Sequence, residues 1–476
     1  MSGANLRGRL AQIQQQISSL EAQMASLRSE EETVERALAA IVYPVLTLPN
    51  DVVSEVFIQY VNGLPKGSPL CLLWVCRSWR EVALSTCRLW TRLWRFNSKS
   101  NQHLVDALTL WLAQSGSLPF DLGASLPPAP WDSADAFCRL LSQYSCRFRE
   151  LHLSAWGPKP SQIHLVGSFP RLEKLDMRIR STHRDLPPIL PLYAPNLLEA
   201  ALDCHSLEPW KAALPWAQLT TLSLESDLYS CWEILLCTSN LEVLTMYAEK
   251  RGSEAIPSSS SLTLPRLHTV CLDPMDRGVT SDILPSLTLP ALDDLTFWPA
   301  GYLLVDAFTE LLCRSRCNLR KLELTLYKTD ADVLNSVFEE TPLESVQNFT
   351  LCRPDGSNGA LDSLFNLLSD HSVLPALEHF CIEECSAYTE LSSLVDFLDA
   401  RVDCGEGETQ LKSFKLSFSE WGAGNAESEI PNPDDIDDAI SRLEGLRRRF
   451  AGLKVDVRSD ISWFTKHIDS HMIQKI

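Results

Sequence analysis

One pattern, apolar-x-x-apolar-x-apolar, recurs along most of the chain and dictates how it can fold. It occurs as Phe148-Leu151-Leu153, Leu172-Leu175-Met177, Leu197-Ala200-Leu202, Leu219-Leu222-Leu224 and Leu241-Leu244-Met246. It continues as Leu267-Val270-Leu272, Leu292-Leu295-Phe297, Leu319-Leu322-Leu324, Val346-Phe349-Leu351, Leu377-Phe380-Ile382 and Leu411-Phe414-Leu416. The eleven units start 22 to 34 residues apart, most after a turn cue such as Phe-Pro-Arg, Ala-Pro-Asn or Leu-Pro-Arg. The second and third apolar positions alternate with polar ones, so each unit predicts a short strand with one buried face. Helical stripes separate several strands, for example Phe308 with Leu311 and Leu312, or Leu391 with Leu394, Val395 and Leu398. A lone strand-helix unit cannot bury its apolar face; only stacking on its neighbours makes a core. The expectation is an α/β solenoid over 147–457.

The first forty residues follow a different period. Leu6, Ile13, Leu20, Leu27, Val34 and Ile41 form one column, and Leu10, Ile17, Met24, Glu31 and Leu38 the other. Apolar steps of three and four with one polar exception, no proline before Pro44 and no glycine after Gly8 predict a coiled-coil helix over 5–42. Glu30 and Glu35 would repel in a parallel homodimer. Self-association, pairing with another helix and folding back on the protein's own body all remain open.

Composition excludes several classes. Of 476 residues, 45% are apolar and 22% charged, ordinary for a globular protein. Lys and Arg number 42 against 61 Asp and Glu, a net charge of −19, and the one basic cluster is Arg447 to Arg449. Such a field repels a phosphate backbone, so no nucleic-acid partner is expected. The longest apolar run near the N-terminus, Leu70 to Cys76, is far short of a membrane span, and residues 1–9 are polar. The fifteen cysteines are scattered mostly singly among apolar neighbours, as small buried hydrophobes in a reducing compartment are. The expectation is a soluble cytoplasmic or nuclear protein without a membrane partner.

Residues 44–94 read as a compact helical module: PVLTLPNDVVSEVFIQYV, a turn-rich break at 62–69, then LCLLWVCRSWREVALSTCRLWTRLW. Asn50 or Asp51 can cap the first helix, along which Val52, Val53, Val56, Phe57 and Tyr60 fall on one face. Four tryptophans in some fifty residues exceed what so small a core can hold, so part of this surface is expected to be an interface. The segment resembles an F-box, through its Leu-Pro start, its helical stripe and its Val-Cys-Arg-x-Trp-Arg signature followed by a Leu-Trp pair. One departure is Asn50 directly after Leu-Pro, where an acidic residue is usual. The resemblance implies docking onto the small adaptor of an SCF-type cullin-RING ubiquitin ligase. It assigns adaptor contacts to Leu48, Pro49, Val53, Val56, Phe57, Trp74, Val75, Cys76, Trp79 and Leu84, some facing inward.

The later repeats resemble leucine-rich repeats, without that family's Asn column after the third apolar position. Residues 97–146 are expected to hold connecting helices and a first irregular repeat, with a strand near Leu118 to Leu122. A terminal cap with a helix from Asn432 and a strand at Leu453 to Val457, and a tail over 458–476, complete the reading. A loop is expected over 420–433. The residue after each third apolar position should point outward; that column includes Glu225, Tyr247, Asp273 and Trp298. Aromatics between acids suit a basic protein target. A solvated face with aromatics packed on neighbouring strands would give the same pattern.

No motif for bond chemistry is present: no phosphate loop, no His-Glu-x-x-His, no nucleophile elbow. Cys313/Cys317 and Cys381/Cys385 lack a second ligand pair, so no zinc is expected. No cofactor and no enzymatic activity are expected; the chain reads as a substrate receptor of a ubiquitin ligase or, in a second reading, as an interaction scaffold with no ligase role.

Overall fold

The structure, a computed structural model, describes residues 3–39, 48–63, 67–97, 101–126, 134–157, 167–181, 192–204, 207–250, 256–257, 260–299, 303–325, 336–339, 341–352, 360–385, 391–402, 411–418 and 454–459. The expected coiled-coil end at Ile41, the loop at 420–433, the helix beginning at Asn432 and the tail from 460 lie outside these residues. The chain divides into two compact units, Met1–Thr91 with Leu112–Gly116, and Arg92–Trp111 with Ser117–Ile476. The architecture is α/β: a long N-terminal helix, short helices, then a large parallel sheet with helices.

In the first unit α1 (Gly3–Ala39) is a single uninterrupted helix. At 1.5 Å per residue it is about 55 Å long. α2 (Asn50–Gly63) starts directly after Pro49, whose carbonyl accepts from the Val52 and Val53 amides at 3.0 and 3.1 Å. Pro69–Trp74 forms a 3-10 turn, with Ser68 accepting from the Leu70 amide, and α3 (Arg77–Ser85) follows. Cys76 sits at the N-cap of α3 in extended backbone, its sulfur accepting from the Trp79 amide at 3.5 Å. Phe57, Leu72, Val82, Ala83, Leu89 and Trp90 are buried between these elements. The Trp90 indole donates to the Ala83 carbonyl at 2.9 Å, so its one polar atom is satisfied inside the core.

Among the described residues of the second unit, fourteen strands make one sheet in which each pairs in parallel with the next of the fourteen in chain order. These are β1 (Arg92–Asn97), β2 (Phe120–Leu126), β3 (Phe148–Gly157), β4 (Lys174–Ser181), β5 (Glu199–Cys204), β6 (Thr221–Asp227) and β7 (Val243–Glu249). β8 (Thr269–Pro274), β9 (Asp294–Phe297), β10 (Lys321–Thr325), β11 (Asn348–Cys352), β12 (His379–Cys385), β13 (Ser413–Phe418) and β14 (Lys454–Ser459) follow. A second, two-stranded parallel pair joins Leu262–Thr263 to Leu287–Thr288. Parallel neighbours require crossover connections, and helices fill several of them, including Leu228–Leu235, Val305–Ser315, Ala360–Leu368 and Leu391–Val402.

The eleven sequence units become strands β3 to β13, and their apolar positions stack in register. Leu151, Leu175, Ala200, Leu222, Leu244, Val270, Leu295, Leu322, Phe349, Phe380 and Phe414 form one continuous buried column. Each such leucine removes enough apolar surface from water to stabilise the fold by roughly 1.5–3 kcal/mol relative to exposure. Aromatics take over toward the later strands, with the Phe349 and Phe380 rings stacked at 5.5 Å and Phe380 meeting Phe414 at 5.6 Å.

Turn residues tie several repeats to the one before. Asn196, from the Ala-Pro-Asn cue, donates to the Pro170 carbonyl at 2.6 Å, and Asn240 donates to Ala217 at 2.7 Å. Arg401 is buried and donates to four carbonyls, those of Leu368, Asp370, Val373 and Leu374. Arg314 does the same for Leu284 and Leu287. These guanidiniums occupy the places where consecutive connections would otherwise bury unpaired carbonyls. Leu93 and Trp94, read from sequence as part of the helical module, lie in β1 instead.

Candidate functional site

Two surfaces carry the residues singled out from the sequence, one on each unit. On the first unit, the single helical face expected along α2 is two adjacent stripes. Val53 and Phe57 point inward and are buried, and the Phe57 ring packs on Trp79 at 4.8 Å. Val52, Val56 and Tyr60, each four residues from the next, point outward and are about half exposed. Leu48 and Pro49, just ahead of α2, are also exposed. After the 3-10 turn, Trp74 is 83% exposed and Val75 57%. Cys76 and Trp79 are half-buried, and Leu84 is exposed.

Of the ten residues assigned by resemblance, Leu48, Pro49, Val56, Trp74, Val75 and Leu84 are therefore available to a partner, while Val53 and Phe57 support the helices that carry them. Tyr60 and Leu70 add exposed apolar area outside those ten. The i, i+4 spacing of Val52, Val56 and Tyr60 is the signal for this outer stripe. Polar contacts brace the module beneath it: Ser54 with Thr86 at 2.8 Å, Arg88 with Glu55 at 2.9 Å, and Arg80 donating to the Leu73 carbonyl at 2.9 Å. Large apolar side chains held in water on a braced framework present area that a partner could bury.

On the second unit, alternation along β3 to β13 turns every other residue away from the buried columns. Glu225, Tyr247 and Asp273 are direct neighbours on β6, β7 and β8. Tyr247 is half-buried, and its phenol is raised above its ordinary value by burial, then by Cys271, Asp273 and Glu225. Trp298 follows β9; its amide donates to the Leu272 carbonyl at 2.9 Å and its indole to the Glu323 carboxylate at 3.1 Å. The structure thus brings three of the four expected target residues into one row and ties the fourth to its neighbouring strand. Thr325, in the same column, is buried rather than exposed.

Three lysines on this face are engaged with carboxylates. Lys321 reaches Asp294 at 3.1 Å, Lys415 reaches Glu383 at 2.7 Å, and Lys174 reaches Glu199 at 2.7 Å. Near the start of the sheet a cluster not anticipated from sequence gathers on β1 to β4. His152 packs edge-on against Trp94 at 4.4 Å, Arg92 sits 4.5 Å over the same indole, and Asp176 accepts from His152 at 3.3 Å and Arg178 at 3.1 Å. Burial alone would raise Asp176, but those two hydrogen bonds hold it below its ordinary value. Positions 152, 176 and 178 fall on the outward side of their strands, and their adjacency becomes legible only once β3 and β4 are paired.

Burial pushes Cys271 up to about 11 and Cys381 up to about 12, away from thiolate character. Among the described residues no group of three or more His, Cys, Asp or Glu side chains is placed to hold a metal, and no helix is long and apolar enough to cross a membrane. Both surfaces offer means of binding: one by burying apolar area, the other through carboxylates, half-buried Tyr247 and Trp298 anchored on Glu323. No family model matches the chain, and a search of curated proteins finds no significant relative.

Proposed function

We propose that this chain is the substrate-recognition subunit of an SCF-type cullin-RING ubiquitin ligase. An F-box-like module over 44–94 docks the ligase adaptor, and a leucine-rich-repeat-like solenoid over 147–457 holds a protein target. The protein itself carries out no bond chemistry; it raises the effective concentration of the target beside the transfer machinery. The observation that supports this reading most is the exposure of Trp74, Val75 and the Val52-Val56-Tyr60 stripe beside the Val75-Cys76-Arg77-x-Trp79-Arg80 signature. A cytoplasmic or nuclear location follows from the same proposal. The target surface is the row Glu225, Tyr247 and Asp273 with Trp298, and its chemistry suits a basic protein segment.

Co-expression with the ligase adaptor tests the docking. Wild type should be captured, and a Val56→Asp, Trp74→Ala variant, altered only at exposed positions, should be lost while keeping its melting temperature. Failure of wild type to capture the adaptor would move the reading to an interaction scaffold with no ligase role. Once a target is in hand, full binding by a Tyr247→Ala, Trp298→Ala variant would remove the assigned target row.

A further inference from the structure

We infer that α1 pairs with α1 of a second copy of this chain, and that the two helices run antiparallel. Every residue from Gly8 to Ala37 is exposed, so over this stretch none of the described residues of its own unit covers the helix. Its seam is nevertheless apolar: Leu10, Ile13, Ile17, Leu20, Met24 and Leu27 are all roughly half exposed or more, with Val34 beyond them. A seam of this length repeating in steps of three and four is the surface that a second helix covers.

The charge pattern selects the occupant and its direction. Residues 3–20 contain Arg7 and Arg9 and no acid, whereas residues 21–39 contain Glu21, Glu30, Glu31, Glu32 and Glu35 against Arg28 and Arg36. The helix is thus a basic half followed by an acidic half, complementary to its own reverse. A parallel pair would lay like on like and set Glu31 against the partner's Glu31 inside the seam, where two buried carboxylates cannot both stay ionised. Turned end for end, Leu10 meets the partner's Val34, Ile17 meets the partner's Leu27 and Leu20 meets the partner's Met24. Glu31 then faces the partner's Ile13, one helical turn from the partner's Arg9, to which its carboxylate can turn. Opposed helix dipoles add a small favourable contribution in the same sense.

The sequence of α1 contains no lysine, which makes a direct test possible. Full-length Arg9→Lys protein, mixed from isotopically light and heavy chains, would be treated with a zero-length carbodiimide and the cross-linked peptides read by mass. Within one helix residue 9 lies about 30 Å from residue 30. A light-heavy link between the amine introduced at position 9 and any of Glu30, Glu31, Glu32 or Glu35 therefore arises only from the antiparallel pair. Light scattering should give a dimer at micromolar concentration, and Arg9→Glu should raise its dissociation constant about tenfold. A monomer, another stoichiometry, or a dimer in which the position-9 amine finds none of these glutamates would overturn the inference. Adaptor capture reads a different part of the chain, so either proposal can fail without the other.

Discussion

The outer face of α2 and α3 and the outward face of β3 to β13 are both built on buried apolar columns, yet they end differently in water. The first leaves Val56, Trp74 and Val75 uncovered. The second closes its charges among themselves, Lys415 on Glu383 and Lys321 on Asp294, and ties Trp298 to Glu323. Burying the first face yields affinity mainly from apolar area. Binding on the second must exchange existing ion pairs for new ones, so its yield lies more in selectivity and orientation. The proposed bridge between a constant partner and a selected one would use both.

The inner and outer sides of the first unit should respond in opposite ways to deletion of one large ring, Phe57 in α2 or Trp74 at the end of the 3-10 turn. Phe57→Ala should cost about 3–5 kcal/mol of stability, because a fully buried ring against Trp79 is deleted. Trp74→Ala should leave thermal unfolding nearly unchanged while sharply weakening any partner that covers it. Equal melting losses for both would contradict the division of α2 and its neighbours into inner and outer stripes.

Next in size is Arg401→Met, which keeps the aliphatic stem and strands four carbonyls. A loss of roughly 3 kcal/mol in urea unfolding is expected, and a neutral result would mean that the carbonyls find other partners. A smaller effect separates charge from packing on the polar face. The Lys415 hydrogen bond holds Glu383 below its ordinary value of 4.5. A depressed carboxylate stabilises the fold above its unfolded value, and that contribution disappears as pH falls through the folded one. Lys415→Met should therefore be less stable than wild type at pH 7, by under about 1 kcal/mol given the pair's exposure, and indistinguishable from it once Glu383 is protonated in both states. A gap that persists in acid would assign the effect to packing. Finally, iodoacetamide at pH 8 should modify exposed Cys71 and Cys87 well before Cys271 and Cys381, whose thiolate fractions are about one in a thousand or less.

The strands were legible in the sequence because two periods coincide there: alternation within each unit and recurrence of Leu or Phe every 22 to 34 residues. β1 was hidden by the preceding Cys87-Arg88-Leu89-Trp90, since Leu93 and Trp94 extend the same apolar spacing. Only pairing with β2 makes Arg92–Asn97 a strand. The hydrogen bonds of buried Arg401 and of Arg314 were equally illegible, because their partners are carbonyls 27 to 33 residues away. The outer apolar stripe was half visible: its spacing could be read, but the difference between Val52 and Val53 could not, because neighbouring residues on a helix are separated by only 100°. The target row was legible as a column, whereas the indole of Trp298 turning to Glu323 depends on a side chain in the next repeat.

The account rests most on the uncovered apolar face of the first unit being a partner's seat. Calorimetric titration of the full chain with the ligase adaptor over several temperatures tests this directly, because apolar burial leaves a negative heat-capacity change. The account predicts binding with such a change, largely lost in the Val56→Asp, Trp74→Ala variant at unaltered stability. No binding by wild type, or equal binding by the variant, would contradict it.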